Sequence, residues 1–408
     1  MQNGPFTSPP LLDTVVIEPL LLVGLVVAMF VGYNIGGATT GPAFGPAVGA
    51  GVITKTLAAA LMSVFFFIGA WTIGRRVVDT LGQDLIFDSA IFTLEASITV
   101  LFFIGLALFV GNFFGVPAST SMTAVGAIAG LGLATNQLNW EVMGEIVIWW
   151  LVAPVIGFWA SGVIGRYFYA ELNRRVALVQ SDGPLFSIDR SGTIPKISFG
   201  PNTTRREFVG TAVVVAIGCV MAFSSGTSNV ANAIAPLVGS GALEMNVGII
   251  IACVAVSIGA FTIARRTLET LGNDITALPL TAAIIVATVS ATLVVALSLV
   301  GIPASFVVIA TTSIIGLGWG RATRTTRVSD SVRGKAKDTR VSVGALAADE
   351  EGQELPKIGE EKPEDIPSAS DLFDPSTTAR VIIMQNVVPI ISTVGAYLVF
   401  RFVPVFGW

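Results

Sequence analysis

The sequence contains no histidine, and only two of its 408 residues are cysteines. The lack of histidine removes the side chain that proteins use most often as a metal ligand and as a general base. Cys219 and Cys253 both lie within apolar runs, where a free cysteine acts as a small buried hydrophobic residue. Carboxylates are also scarce within these runs. We therefore expect no catalytic residues, no metal site and no enzymatic activity.

Charged residues are also scarce in the sequence. Charged residues make up 12% of the chain, and hydrophobic residues make up 53%. Several apolar runs approach the ~20 residues that a helix needs to cross a bilayer. The longest are Val15–Val31, Leu57–Ile73, Ile98–Val110, Val142–Ile164, Phe208–Phe223, Val247–Ile263, Ala282–Val300 and Val381–Val403. This pattern predicts an all-α, polytopic membrane protein.

One charged phrase occurs twice in the chain. Residues Trp71–Asp84 read WTIGRRVVDTLGQD, and residues Phe261–Asp274 read FTIARRTLETLGND. Three further segment pairs recur in the same order, namely GPAVGAG with APLVGSG, GVPAS with GIPAS and IAGLG with IIGLG. Four matches in one order indicate an internal duplication.

The duplication and the distribution of arginine together predict an inverted topology. Polar stretches at residues 170–206 and 321–379 carry arginines close to apolar runs, which places both stretches in the cytoplasm. Five crossings then remain in each half, and an odd number inserts the second half upside down. We expect about ten transmembrane helices in a multi-pass plasma-membrane protein with both termini outside. The predicted units are a first repeat at 1–169, an inter-repeat loop at 170–206, the main second repeat at 207–320, a disordered loop at 321–379 and a final helix at 380–408.

Two Gly-rich segments, Tyr33–Thr54 and Ser224–Leu243, occupy equivalent places in the two halves. Glycine and proline interrupt helices, and freed backbone groups are tolerated in a membrane only where protein or a watery cavity surrounds them. We expect two re-entrant segments that aim helix N-termini at an anion near the midplane. The alternative is close helix packing, because small residues let membrane helices approach each other.

These segments resemble motifs of the inorganic phosphate transporter family, which includes sodium- or proton-coupled phosphate symporters and some sulfate permeases. The family motif G-A-N-D-V-A-N-A with a Gly-rich tail is similar to Ser224–Leu243, and its tail is similar to residues 35–54. A second family motif, P-V-S-T-T-H, resembles PASTSM at Pro117–Met122 and, more faintly, PASFVV at Pro303–Val308. The resemblance covers most of the chain outside the two polar stretches.

The candidate anion-binding residues carry hydroxyl or amide groups and lie in the Gly-rich segments or the Pro-Ala-Ser segments. An oxyanion inside a membrane needs each oxygen hydrogen-bonded, and these groups donate without adding charge. The candidates are Thr39, Thr40, Ser119, Thr120, Ser121, Ser228, Asn229, Asn232 and Ser305.

The sequence departs from the family where the family carries charge or histidine. The resemblance implies an aspartate for the coupling cation, a paired asparagine and a histidine in each half. The aspartate positions hold Thr39 and Asn229, and the histidine positions hold Met122 and Val308. The paired asparagine is kept as Asn232 in the second half and is Pro42 in the first. Neutral residues bind Na⁺ less strongly than carboxylates do, but they also repel a divalent oxyanion less.

The coupling ion, Na⁺ or H⁺, must then use other groups or be dispensed with. The candidate ligands are Asn229, Asn232 and Glu95. A carboxylate inside a membrane is by default a functional candidate. Glu95 has an alternative interpretation as a residue at the outer end of its span. No cofactor is expected beyond such an ion.

The repeated arginine pairs, Arg75-Arg76 and Arg265-Arg266, allow two interpretations. An acid three or four residues later could meet its arginine on one helix face, which would make the phrase an interfacial cap. Alternatively, the pairs form symmetric mouths that attract anions at the two membrane faces.

The pattern as a whole favours a transporter of small inorganic anions. Phosphate is the first expected substrate and sulfate the second. A function of another class is a membrane-embedded anion sensor that no longer transports. Membrane lipid is the expected surrounding, no nucleic-acid partner is expected, and a homo-oligomer remains open.

Overall fold

The computed structural model describes residues 19–49, 52–113, 119–169, 172, 186–189, 196–199, 205–274, 280–325 and 375–403. The described part of the chain is almost entirely helical. In order, its helices are α1 (Pro19–Gly49), α2 (Lys55–Thr72), α3 (Gly74–Asp79), α4 (Leu94–Phe113), α5 (Thr120–Thr135), α6 (Trp140–Val163), α7 (Arg205–Gly239), α8 (Met245–Asp274), α9 (Leu280–Leu299), α10 (Phe306–Thr325) and α11 (Pro375–Phe402).

Shorter elements complete the description. Two short π-helices, Thr80–Asp84 and Ile164–Phe168, extend α3 and α6. A single 3₁₀ turn, Ser89–Ile91, precedes α4. In the inter-repeat stretch, β1 (Phe186–Asp189) and β2 (Lys196–Phe199) pair antiparallel, a hairpin that the sequence did not predict. Most of the 321–379 stretch lies outside the described residues.

Among the described residues, seven helices are long and apolar enough, by length and composition, to cross a membrane. Residues Thr120–Thr135 and Phe306–Arg321 form shorter apolar helices. Large apolar side chains are exposed around the outside, such as Leu151 at 68% and Val26 at 58%. A soluble fold would bury such side chains, so lipid is their natural surrounding. The all-α, multi-pass membrane class is confirmed.

The Gly-rich segments do not break the helices, which contradicts the prediction of re-entrant elements there. The first belongs largely to α1, a continuous helix of 31 residues, and the second to α7, a continuous helix of 35 residues. Their glycines instead permit close helix contacts. A methyl group at Gly36 would overlap the carbonyl of Val256 in α8, and one at Gly226 would overlap the carbonyl of Phe66 in α2. Close packing was the correct alternative.

The packing follows the duplication. Helix α1 packs on α8, and its repeat partner α7 packs on α2. In the same way α5 packs on α11, and α6 packs on α10. Each half of the chain therefore supplies the neighbours of the other half.

Repeat-related helices run in opposite directions. Gly24 near the start of α1 lies against Leu237 near the end of α7. Gly218 in the first half of α7 lies against Phe44 in the second half of α1. Helices α1 and α7 are thus antiparallel, as an inverted repeat requires.

Helices α4 and α5 form a hairpin, here called the first hairpin. Helix α4 begins level with the start of α1, where Ile98 lies against Gly24, and ends level with its middle, where Asn112 donates to Asn34. After α5 the chain is back beside the segment that precedes α4, since the amide of Phe87 donates to the carbonyl of Gln137 at 2.8 Å. Both ends of the first hairpin therefore lie on one side.

Helices α9 and α10 form the second hairpin, which enters from the opposite side. Ile284 near its start packs with Ala47 and Val214, at the end of α1 and near the start of α7. Tyr169, after α6, packs with both Ala282 at the start of α9 and Leu317 towards the end of α10. Both ends of this hairpin thus lie together.

The re-entrant elements are these hairpins. Each half has three long helices and one hairpin, and a hairpin with both ends on one side does not change whether the number of crossings in its half is odd. Three is also an odd number, so the inversion of the second half stands. The sequence predicted five crossings per half because it counts the hairpin arms, of which α4 and α9 have the length and composition of full spans.

Candidate functional site

The tips of the two hairpins meet at the middles of α1 and α7. Each returning arm starts with a serine cap. Ser119 accepts from the amide of Met122 at 3.2 Å, and Ser305 accepts from the amide of Val308 at 3.3 Å. Helix N-termini carry a partial positive charge, so α5 and α10 both direct their positive ends into this region.

Asn229, near the middle of α7, is the hub of a buried hydrogen-bond network. Its Oδ1 accepts from Thr120 Oγ1 at 2.5 Å and from Asn232 Nδ2 at 3.2 Å. Its own Nδ2 donates to Ser225 Oγ at 2.9 Å. These contacts join α7 to the tip of the first hairpin.

A pair of serines connects both hairpins to α7. Ser121 at the start of α5 and Ser228 in α7 lie 3.2 Å apart, Oγ to Oγ. Both donate to the carbonyl of Ala304 in the tip of the second hairpin, at 3.0 and 2.9 Å. Both side chains are almost fully buried. Polar groups so deep in an apolar protein are costly unless paired, so this network is specific.

A cavity of about 20 Å³ lies at this junction. Every side chain that lines it is neutral, and the lining comes from α1, α7, Thr120 of the first hairpin and the start of α10 in the second hairpin. The lining residues are Ala38, Thr39, Pro42, Ala43, Thr120, Met221, Ser225, Asn229, Ser305, Phe306 and Val307.

The structure brings together most of the predicted site residues. Thr39, Thr120, Asn229 and Ser305 line the cavity, whereas Ser121, Ser228 and Asn232 lie in the network beside it. Ser119 is buried and caps α5. Thr39 and Thr40 both donate to carbonyls of their own helix, at 2.8 and 2.7 Å, and only Thr39 reaches the cavity.

Glu95 lies elsewhere. It is exposed in the first turn of α4, at the outer end of the first hairpin, and it does not line the cavity. A carboxylate at a helix N-terminus is favourable on its own account. The structure thus agrees with the alternative interpretation, in which Glu95 lies at the end of its span.

Sequence reasoning missed Ser225 as a partner of Asn229 and the backbone carbonyl of Ala304 as an acceptor. It also missed Trp150 of α6, whose indole Nε1 donates to the carbonyl of Pro303 at 2.8 Å. A signal for the hairpins was present, because each Pro-Ala-Ser segment ends in a serine that can cap a helix.

The two arginines of the first pair, Arg75 and Arg76, have different hydrogen-bond partners. Arg75 donates to the carbonyl of Trp71 at 2.8 Å and to Asn246 Oδ1 at 2.6 Å, and it stacks on the Trp71 ring. Arg76 donates to the carbonyl of Leu299. Within the described residues, no salt bridge joins Arg75 to Asp79, so the predicted helix-face pair is not formed. The side chains of Arg265 and Arg266 lie outside the described part.

Comparison with known proteins bears on this arrangement. The family described as "Phosphate transporter family" matches residues 35–346 of the chain. The chain belongs to the phosphate transporter family. The matched range contains every residue that lines the cavity, so the site lies inside the family region.

Individual relatives are moderately similar to this chain. It is 32% identical over 301 residues to the sulfate permease CysP of Bacillus subtilis, covering 74% of this chain and 77% of the relative. It is 26% identical over 373 residues to a protein named "Putative phosphate permease" from Thermococcus kodakarensis, covering 76% and 91%.

A solved structure has a similar fold. "The sodium-dependent phosphate transporter" aligns with a TM-score of 0.62 and 18% identity, covering 95% of this chain and 100% of that one. At this identity the likeness concerns the fold. The family and the fold are those of transporters.

Proposed function

We propose that this protein is a secondary transporter that moves inorganic phosphate across the plasma membrane. The observation that carries the proposal is the convergence of two helix N-termini on a neutral, hydroxyl- and amide-rich cavity between inverted repeats. Inverted-repeat transporters hold substrate near the midplane at the repeat interface. The proposed binding residues are Thr39, Thr40, Ser119, Thr120, Ser121, Ser228, Asn229, Asn232 and Ser305.

The chemistry of the junction suits an oxyanion. The N-termini of α5 and α10 supply positive potential without a basic side chain, and nearby hydroxyls and amides supply donors. Such a site attracts an anion while remaining weak enough to release it. The Thr40 hydroxyl already donates to its own helix, whereas the Ser119 hydroxyl accepts from the amide of Met122 and keeps its own proton to donate.

Phosphate keeps a proton near neutral pH, so a phosphate site gains from an acceptor as well as donors. Within the described residues, Oδ1 of Asn232 is buried without a hydrogen-bond partner. It offers the acceptor that a hydrogen phosphate requires. The phosphate permease among the relatives supports the same choice.

Sulfate is the second candidate. Sulfate carries no proton at neutral pH and needs donors alone, and every side chain of the cavity lining is neutral. The relative with 32% identity is a sulfate permease. A carboxylate in the lining would have repelled this dianion, and none is present among the described lining residues.

The coupling ion is proposed to be Na⁺, with H⁺ as the alternative. The support is the fold, shared with a sodium-dependent phosphate transporter. Asn229 lines the cavity and Asn232 lies beside it in the same network, and each carries an amide oxygen that could bind the ion. Glu95 is a poor ligand candidate, because it is exposed at the end of α4.

We propose the orientation that the arginine distribution predicts, with both termini outside and residues 170–206 and 321–379 in the cytoplasm. The first hairpin then enters from outside and the second from the cytoplasm. In a cysteine-free background, an impermeant reagent should label Gly4→Cys but not Ser342→Cys in intact cells. Equal labelling of both positions would contradict the inverted orientation.

Uptake into proteoliposomes tests the function. Radiolabelled phosphate should accumulate, more strongly with a Na⁺ or pH gradient than without one. Faster accumulation of sulfate than phosphate would replace the first candidate by the second. Binding of either anion without uptake would favour the sensor.

A further inference from the structure

We propose that Arg76 and Trp150 are positioning residues that latch the tip of the second hairpin over the anion cavity, and that release of this latch opens the cavity. The tip consists of residues 300–305, between α9 and α10. The inference rests on the proposed transport function, because a gate over the cavity matters only if an anion enters it.

The cavity must enlarge before an anion can enter. Its volume of about 20 Å³ is close to the ~10–15 Å³ that a single water needs by the same measure. A tetrahedral oxyanion is several times larger than one water. At least one wall of the cavity therefore has to move.

The walls differ in how firmly they are held. Helices α1 and α7 are continuous through the site, and Gly36 and Gly226 pack against the backbones of α8 and α2 without room for a methyl group. The tip of the second hairpin is not helical, and Gly301 in it has a φ of +80°. Such a turn moves at less cost than a packed helix, so the tip is the natural moving wall.

Side chains from other elements hold this tip through two carbonyl groups, one at the end of α9 and one within the tip. Arg76 after α2 donates to the carbonyl of Leu299, and the Trp150 indole in α6 donates to the carbonyl of Pro303 at 2.8 Å. Leu299 is the last residue of α9, where the helix dipole is negative, so a guanidinium is doubly favourable there. Gly301 fits against Thr80 and the backbone of Arg76, where a side chain would collide.

Residues of the same types that do not bond the tip supply matched controls. Arg75 binds Asn246 and the Trp71 carbonyl, away from the tip. Trp149 packs with Ile302 and Ala304 of the tip, so the tryptophan control is Trp140, which begins α6 and is 66% exposed. In the first copy of the repeated phrase, Arg75 thus bonds its own helix and Asn246, and Arg76 bonds the second hairpin.

The test measures access to the cavity directly. In a background with Cys219→Ala and Cys253→Ala, a single Ala43→Cys places a thiol on the cavity wall of α1, outside the hairpin. A small methanethiosulfonate reagent is applied in detergent, so that both faces are open to it. Its reaction rate is compared in Arg76→Gln, Trp150→Phe, Arg75→Gln and Trp140→Phe. Thermal stability is recorded for each variant.

Arg76→Gln and Trp150→Phe should each speed modification about three- to tenfold, which at ~1.4 kcal/mol per factor of ten equals the net contribution of one hydrogen bond. Arg75→Gln and Trp140→Phe should leave the rate within twofold. Arg76→Lys, which keeps a positively charged donor, should fall between wild type and Arg76→Gln, and it replaces that variant if the latter does not fold.

Equal rates in all variants, or equal increases in the controls, would overturn the latch. The uptake assay separates this result from the function itself. If wild type transports neither phosphate nor sulfate while the variants separate as expected, the proposed function fails and the latch contacts are supported. If wild type transports and the variants do not separate, the function stands and the latch is wrong.

Discussion

The two halves of the anion site derive from the same repeat, yet they differ in chemistry. Ser225, Ser228, Asn229 and Asn232 of α7 correspond in the repeat to Ile35, Ala38, Thr39 and Pro42 of α1. Thr120 and Ser121 at the start of α5 correspond to Phe306 and Val307 at the start of α10. One half of the site can make a network of hydrogen bonds, and its counterpart is mostly apolar.

The scaffold, by contrast, is equivalent in both halves. Gly36 and Gly226 occupy equivalent positions and make equivalent close contacts with α8 and α2. Ser119 and Ser305 cap the equivalent helices α5 and α10. The comparison teaches that packing symmetry and chemical symmetry are separable, so this chain offers one polar half-site where a symmetric protein would offer two.

The largest expected effect tests the shared scaffold. Gly36→Ala and Gly226→Ala should each destabilise the protein by roughly 1–3 kcal/mol or more, because the added methyl overlaps a backbone carbonyl that cannot move freely. Thermal unfolding in detergent measures the effect. Gly144→Ala is the control, since an added methyl there has nothing within 4 Å. Tolerance at one glycine and not at the other would break the symmetry of the scaffold.

The next effect tests the asymmetry of the site. Asn229→Ala should lower anion affinity about 5- to 150-fold, because each donor or acceptor left unsatisfied costs ~1–3 kcal/mol. The repeat-related Thr39→Ala should change affinity far less, since Thr39 already bonds its own helix at Ile35. Equilibrium binding of labelled phosphate measures both variants. Equal losses would mean that both half-sites hold the anion.

A double substitution sharpens the comparison by making both halves charged. Thr39→Asp with Asn229→Asp restores the carboxylates that the family resemblance implies at these positions. We expect uptake to become more dependent on Na⁺, because a carboxylate binds Na⁺ more strongly than a threonine or an asparagine. The single Asn229→Asp variant is the control. Loss of anion binding without any response to Na⁺ would show that these positions contact the anion directly.

The smallest effect concerns the first copy of the repeated phrase. Burial raises the pKa of Asp79 above its ordinary value, Asp84 adds to the increase, and Arg75 opposes it. A carboxyl with a raised folded-state pKa favours folding most when protonated, and this advantage is lost as the pH rises through that pKa. When the pH is above neutral, Asp79→Asn should therefore raise the melting temperature slightly. It should give no gain at a pH well below the ordinary pKa of an aspartate, and a gain that persists there would contradict this explanation.

The sequence predicted the membrane class, the duplication and most of the residues that meet at the site. These inferences rest on apolar length and on repeated order, which one chain displays directly. Thr39 and Asn229, for example, are equivalent in the repeat and do line one cavity.

The position of the re-entrant elements was not predictable in the same way. Gly-rich segments weaken an isolated helix, but in α1 and α7 a neighbouring helix packs onto the glycines and keeps the helix continuous. Helices α4 and α9 have the length and composition of full spans. Only their contacts with the middles of α1 and α7 reveal that they turn back.

The exchange of neighbours between the two halves has a consequence for biosynthesis. Helices α1 and α2 leave the ribosome long before α7 and α8 exist, and α5 precedes its partner α11 by most of the chain. The first half must wait in the membrane with its glycine faces covered only by lipid. Two separately encoded halves should accumulate when they are produced together, and each should be degraded when it is produced alone.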